Sequence, residues 1–207
     1  MSEINQPREQ ASIRSLQQLK VEYIQMINPR FMGNFPMDNC FTPNHPSISS
    51  GTWGCFQAHK KAVCEGFSND FDYLLVCECD CYVTVSPQRF IEAVNVWGRK
   101  MVETNMWALF IGGFSGFRKA GKGVYRNDFF FSQQSVDAHC VLYPMKTLSN
   151  IVRLFETEKW WPFDLWLSRL LKEKLAITKA KFASQIEGKS LIDGEVKGID
   201  SRRLRLV

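Results

Sequence analysis

Asp72-Tyr-Leu-Leu-Val-Cys-Glu-Cys-Asp-Cys-Tyr-Val83 is the stretch on which the reading of the fold turns. Tyr73 to Val76 form a short apolar run with aromatic and β-branched residues, the pattern of a buried strand. Glu78 and Asp80 follow at its C-terminal end, one residue apart. In an α/β sheet that edge is where ligands bind. Two carboxylates this close repel each other unless something positive lies between them. A hard divalent cation takes oxygen ligands and often shares them with substrate phosphates. The pattern therefore points to metal-assisted chemistry on a phosphorylated donor. The plain alternative is a pair of solvated acids in a turn.

Outward from this strand, helices and strands alternate. Arg8 to Lys20 reads as a helix with Ile13, Leu16 and Leu19 on one side, and Val21 to Met26 as a strand. Residues 29–53, rich in Pro, Gly, Asn and Ser, read as a long loop, and Gly54 to Phe67 as a helix. Ser86-Pro87 marks a helix start, a capping hydroxyl followed by proline in the first turn. Phe90, Val94, Trp97 and Met101 then recur at core spacing. Met106 to Ile111 is a compact strand ended by Gly112-Gly113. The glycine-rich segment after it carries Arg118, Lys119 and Lys122, which suit closure over a diphosphate or simple solvation. Val124 to Ser132 and Ser135 to Tyr143 read as two strands around Gln133-Gln134. Helices near 145–156 and 163–174 and a strand near Ile177 to Phe182 follow. This order predicts an α/β fold with a largely parallel sheet.

A chain of 207 residues suits one well-filled domain, and with 45% hydrophobic residues it can bury a real core. No apolar run is long enough to span a bilayer, and the first residues lack the apolar segment of a signal peptide. A cytoplasmic location, or the host cytoplasm for a viral protein, is the expectation. The odd count of seven cysteines favours free thiols. Cys77, Cys79 and Cys81 alternate and would share a face, but no CxxC pair or His-x₃-His partner supports a zinc site. The formal charge of +5 and the basic tail with Arg202, Arg203 and Arg205 suit anionic ligands. Nucleotide-sugars, acidic glycans, nucleic acid and anionic membrane surfaces all qualify; no nucleic-acid-binding motif accompanies the charge.

Three segments, in order, resemble glycosyltransferase family 25, the lipopolysaccharide and collagen galactosyltransferase group. Gly51-Thr-Trp-Gly-Cys-Phe-Gln-Ala-His-Lys-Lys-Ala62 resembles the family's Gly-Cys-x-x-Ser-His motif, with Ala58 in place of Ser. Leu74-Leu-Val-Cys-Glu-Cys-Asp80 is similar to Leu-Val-x-Glu-Asp-Asp, with Cys79 replacing the middle acid. Pro162-Phe-Asp164, then Phe182-Ala-Ser-Gln185 and Ser190-x-Ile192, resemble the late elements. The resemblance covers about residues 50–193. It implies a GT-A-like, Rossmann-type α/β/α sandwich with a mostly parallel central sheet. It places one catalytic domain over 1–207, with an abbreviated N-terminal strand and an irregular basic tail from 186.

The activity it implies is metal-dependent transfer of a hexose from a nucleotide-sugar, most simply a UDP-sugar. The acceptor would be a hydroxyl of a glycan, lipopolysaccharide or other polymer, and the transfer inverting. The ion would be Mn²⁺ or Mg²⁺, with Asp80 as first choice of direct ligand. Glu78 would bind the metal, through water or directly, or hold the donor. His59 and Lys60 suit the donor phosphates if they stand near a helix N-terminus; a capping or core role is the plain alternative for His59. Asp164 would be the general base, its pKa raised beside Trp160, Trp161 and Trp166, although an acid in a first helical turn needs no such role. His139, sharing a strand face with Asp137, offers a third metal contact or an acceptor contact, against the plain reading of a satisfied sheet histidine. Gln185 and Ser190 enter only through the resemblance, as donor or metal neighbours. The rival readings are a catalytically silent relative that binds a glycan or a partner, and a transferase acting on nucleic acid.

Overall fold

The computed structural model describes residues 6–19, 36–41, 44, 48–68, 70–112, 125–126, 129–131, 138–178, 181–186, 188–189 and 196–197. The strand expected at 21–26, the basic glycine-rich loop with Arg118, Lys119 and Lys122, and Asp137, Ser190 and the arginines of the tail lie outside the described residues.

The fold is mixed α/β. Helix α1 (Gln6–Gln17) leads, by way of a 3₁₀ turn at Met37–Asn39, to α2 (Ser50–Phe67). Helix α2 starts four residues before the predicted Gly54. Ser49 accepts from the Thr52 N–H at 3.2 Å while Thr52 Oγ1 accepts from the Ser49 N–H at 2.9 Å. This reciprocal capping box satisfies two orphan donors at once. Phe56, His59, Val63 and Gly66 recur at intervals of three and four and form the buried face of α2.

Strands β1 (Tyr73–Cys77) and β2 (Cys81–Val83) flank the acidic turn, which closes through the Cys81 N–H on the Glu78 carbonyl at 3.0 Å. Helix α3 (Pro87–Glu103) begins as the Ser-Pro signal predicts, with Ser86 as N-cap. It ends before Asn105, whose φ of 55° is a conformation asparagine tolerates better than most residues. Then come β3 (Ala108–Phe110), β4 (Tyr125–Arg126), β5 (Phe129–Phe131) and β6 (Cys140–Pro144). Helices α4 (Met145–Thr157) and α5 (Phe163–Leu171) precede β7 (Leu175–Thr178) and β8 (Ala183–Gln185). A two-residue pairing of Gly188–Lys189 with Val196–Lys197 completes the described elements.

The main sheet has the order β1-β6-β3-β7-β5-β4. The expectation of a largely parallel sheet is corrected here: among the described strands only β3 and β7 run parallel, and the remaining pairs are antiparallel. Of the two strands expected around Gln133-Gln134, the first is divided into β4 and β5, which pair with each other, and the second is β6, which pairs with β1 and β3. Two of the antiparallel pairings belong to β6. Every residue of Cys-Val-Leu-Tyr-Pro is buried, so the strand takes an interior slot with both faces covered. It enters that slot where β1 ends, with Cys140 opposite Cys77 and Pro144 opposite Tyr73, which fixes the antiparallel sense.

Alternation along β6 divides the core in two. Val141 and Tyr143 join Phe56, Phe110, Phe155, Trp160, Phe163 and Trp166 on the face covered by α2, α4 and α5. Cys140 and Leu142 join Phe90, Trp97, Met101 and Ile111 on the α3 face. The sheet is thus the middle of three layers, helices on each side. Beside it, β2 pairs with β8, placing Cys81 opposite Gln185. No described helix is long and apolar enough to cross a membrane.

Candidate functional site

The end of β1 is where the chemistry gathers. The Glu78 N–H donates to the His139 carbonyl at 2.9 Å, the last ladder bond between β1 and β6. Its side chain turns toward α2, where Cys55 and His59, four residues apart, share a helix face. His59 Nε2 lies 3.2 Å from Glu78 Oε1, and the Cys55 thiol donates to the same oxygen at 3.4 Å. His59 is buried and stacks on Phe163, ring centroids 3.7 Å apart and planes within 9°. Its Nδ1 has no hydrogen-bond partner among the described residues. With Nε2 as donor the ring hydrogen-bonds the Glu78 carboxylate.

Burial pushes the Glu78 carboxyl up. The hydrogen bond and charge of His59, the charge of His139 and the Cys55 thiol more than offset it, and hold the group at about 2. A carboxyl with a depressed pKa stabilises the fold above its unfolded value of 4.5, and that contribution disappears as pH falls toward 2. Glu78 is 27% exposed, so solvent screening reduces its worth to about 1–2 kcal/mol. Wild-type stability in urea should therefore fall more steeply between pH 4.5 and pH 2 than that of Glu78→Gln. Parallel pH curves for the two proteins would refute the pairing. The Cys55 thiol is pushed well above its ordinary range by burial and by the charges of Glu78, Asp164 and Asp80. It is a donor here, not a nucleophile.

Asp164 sits in the first turn of α5, where its Oδ1 accepts the Leu165 N–H at 2.8 Å. Burial raises its pKa to about 6 against that backbone bond, with the negative charge of Glu78 adding to the rise and His59 opposing it. The aromatic cluster that positions α5 supplies the burial: Trp166 stacks on Phe155 at 4.6 Å and meets Phe56 edge-on at 5.1 Å. Asp80 stands on the far side of the acidic turn. Its Oδ2 accepts from Gln185 Nε2 at 2.6 Å, and its carbonyl accepts the Ile186 N–H at 2.7 Å. The pairing of β2 with β8 produces both contacts.

The structure thus brings Glu78, Asp80, His59, Asp164 and Gln185 into one neighbourhood, and departs from the sequence reading at other residues. His59 is not at a helix N-terminus: the capping box starts α2 at Ser50, leaving His59 in mid-helix, directed at Glu78. Lys60, one residue on and rotated around the helix, donates to the Phe155 carbonyl in the last turn of α4 at 3.3 Å, where a cation suits the helix C-terminus. It is not directed at the acidic turn. Lys61 pairs with Glu65. His139 is buried, with its Nε2 packed against Gly112. Glu78, Asp80 and His139 do not form a triad of ligand atoms within 4.8 Å; Cys55, His59 and Glu78 do, and so do Cys77, Cys81 and Cys140. The roles of Cys55 and Phe163 were missed from sequence, although the Cys55–His59 spacing, read as one helix face, would have signalled the first. The chain matches no family model and no curated protein.

Proposed function

We propose that this chain is a metal-dependent glycosyltransferase, moving a hexose from a nucleotide-sugar to an acceptor hydroxyl on a glycan or other polymer with inversion. A UDP-hexose is the simplest donor. The observation that carries this reading is the convergence, at the end of β1, of groups from α2, the acidic turn, α5 and β8 around two carboxyls of opposite character. Glu78 is held at about 2 and Asp164 at about 6. Environments that push neighbouring carboxyls apart in this way separate an anchor from a proton acceptor.

Asp80 fits a hard cation, Mn²⁺ or Mg²⁺: it is a carboxylate on a tight turn, oriented by the Gln185 amide. An ion held there would neutralise charge on the departing nucleoside diphosphate. Glu78 fits that role less well, because His59 and Cys55 already hold the oxygen it would offer; it anchors the turn instead. Asp164, mostly ionised at neutral pH, accepts the proton of the acceptor hydroxyl as that oxygen attacks the anomeric carbon.

The test is a panel of nucleotide-sugars screened for Mn²⁺-dependent thermal stabilisation. A donor at about a hundred times its Kd adds about 2.7 kcal/mol, a rise of about 5–10 °C for a chain of this size. Asp80→Ala should abolish both the shift and turnover. Absence of any metal-linked shift, or turnover that survives Asp80→Ala in a folded protein, would remove the assignment. A shift without turnover on any acceptor would favour the silent, binding-only relative, to which the engagement of Glu78 by His59 and Cys55 lends some support.

A further inference from the structure

Beneath the acidic turn, on the α3 face of the sheet, three thiols meet. Cys77 ends β1, Cys140 begins β6 directly opposite it, and Cys81 begins β2. The Glu78-to-His139 ladder bond makes Cys77 and Cys140 a non-hydrogen-bonded pair, the kind whose side chains approach most closely. Their sulfurs are 3.7 Å apart, and all three sulfurs lie within 4.8 Å of one another. Cys81 and Cys140 are fully buried and Cys77 is half-buried. Cys79, between them in sequence, is exposed and outside the cluster.

We propose that Cys77, Cys81 and Cys140 form a binding site for a single zinc-class cation, separate from the hard-metal position at Asp80. Thiolate ligands select soft or borderline ions and give magnesium or calcium nothing to bind. Zinc–sulfur bonds of about 2.3 Å in a tetrahedron imply sulfurs about 3.8 Å apart, close to the spacing already present between Cys77 and Cys140. The backbone holds this arrangement without help from a ligand. The β1–β6 ladder fixes two of the cysteines, and the Glu78–Cys81 turn bond fixes the third relative to the first. Three thiolates leave the fourth tetrahedral position to an exchangeable ligand such as water. An ion there would fasten both ends of the turn that presents Asp80. Metal binding at these thiols is independent of any transferase activity and can be followed without substrate.

The full chain, reduced and stripped with a chelator, is titrated with Co²⁺ and then Zn²⁺. One Co²⁺ per chain is expected, with intense sulfur-to-cobalt charge-transfer absorption that Zn²⁺ displaces. Loss of second-sphere groups alone weakens metal sites about 10–100-fold, so Cys140→Ser should weaken binding by at least that much and abolish the band. Cys79→Ser should leave both unchanged. Absence of the charge-transfer band from wild type overturns the proposal. So does a band that survives Cys140→Ser but is lost in Cys55→Ser, which would assign the ion to the Cys55–His59–Glu78 group. Should Cys140→Ser fail to fold, alkylation of the wild type decides. Zn²⁺ must protect Cys77 while Cys79 stays reactive, and equal labelling of the two overturns the site.

Discussion

Asp164→Asn is expected to lower turnover by about 10²–10⁴-fold, the usual worth of a positioned acid–base group, while making the protein more stable at neutral pH. The two effects share one cause. Burial lifts the folded-state pKa from 3.8 to about 6, so the ionised carboxylate is disfavoured in the folded protein. Below about pH 4 the group is protonated, folded or unfolded, and costs nothing. As pH rises through 4 to 6 the unfolded chain ionises more readily, and the cost grows to its full value above the folded pKa. Asparagine removes the charge but keeps an oxygen to accept the Leu165 N–H. The gain at pH 7.5 should be about 1–3 kcal/mol, and at pH 4 close to zero. Chemical denaturation at both pH values, beside turnover of the same preparation, checks both halves. Wild-type activity should itself decline as pH falls through about 6. A variant that turns over normally, or is no more stable at pH 7.5 than at pH 4 relative to wild type, would dismiss Asp164 as the base.

Trp166→Ala carries the largest expected loss of stability, about 3–5 kcal/mol for a fully buried aromatic truncated to alanine. Trp166 is 2% exposed. Its indole stacks on Phe155, meets Phe56 edge-on, and donates from Nε1 to the Lys159 carbonyl at 3.0 Å. Truncation opens a cavity among α2, α4 and α5 and leaves that carbonyl without its donor. For a chain of 207 residues this is a melting temperature lower by about 10 °C. Trp166→Phe keeps most of the ring contacts but loses the hydrogen bond and part of the ring volume, so about 1–2 kcal/mol is expected. Equal losses in the two variants would mean that the hydrogen bond, not the packing, holds α5. Because α5 begins with the residues that carry Asp164, donor turnover should fall in Trp166→Ala even at temperatures where it remains folded.

Local signals carried most of the helical framework. Ser86-Pro87 marked the start of α3, and the spacing of Phe90, Trp97 and Met101 marked its buried face, because capping and periodicity are written within a few residues. The same kind of signal lies at Ser49-x-x-Thr52, where threonine in place of glutamate disguises a capping box and with it the mid-helix position of His59. Sheet direction was not legible. A short apolar run such as Cys140 to Pro144 states that it is buried, not which neighbours it takes or in which sense. That choice depends on β1 and β3, whose paired residues come 63–71 and 31–33 positions earlier in the chain. The acidic pair was visible at once, but its division of labour was not. The partners that set it, Cys55 with His59 on one side and Gln185 on the other, arrive through tertiary packing.

The five residues from Cys77 to Cys81 interleave two chemistries on one short length of backbone, the acids at even positions and the clustered sulfurs at both ends. Spacing therefore matters more here than the identity of the middle residue. Replacing exposed Cys79 changes neither set. Deleting it would shorten the arc between two clamped ends and draw Asp80 away from Gln185. The turn works as a spacer of fixed length between an oxygen-rich side and a sulfur-rich side, and its tolerance is for composition, not for count.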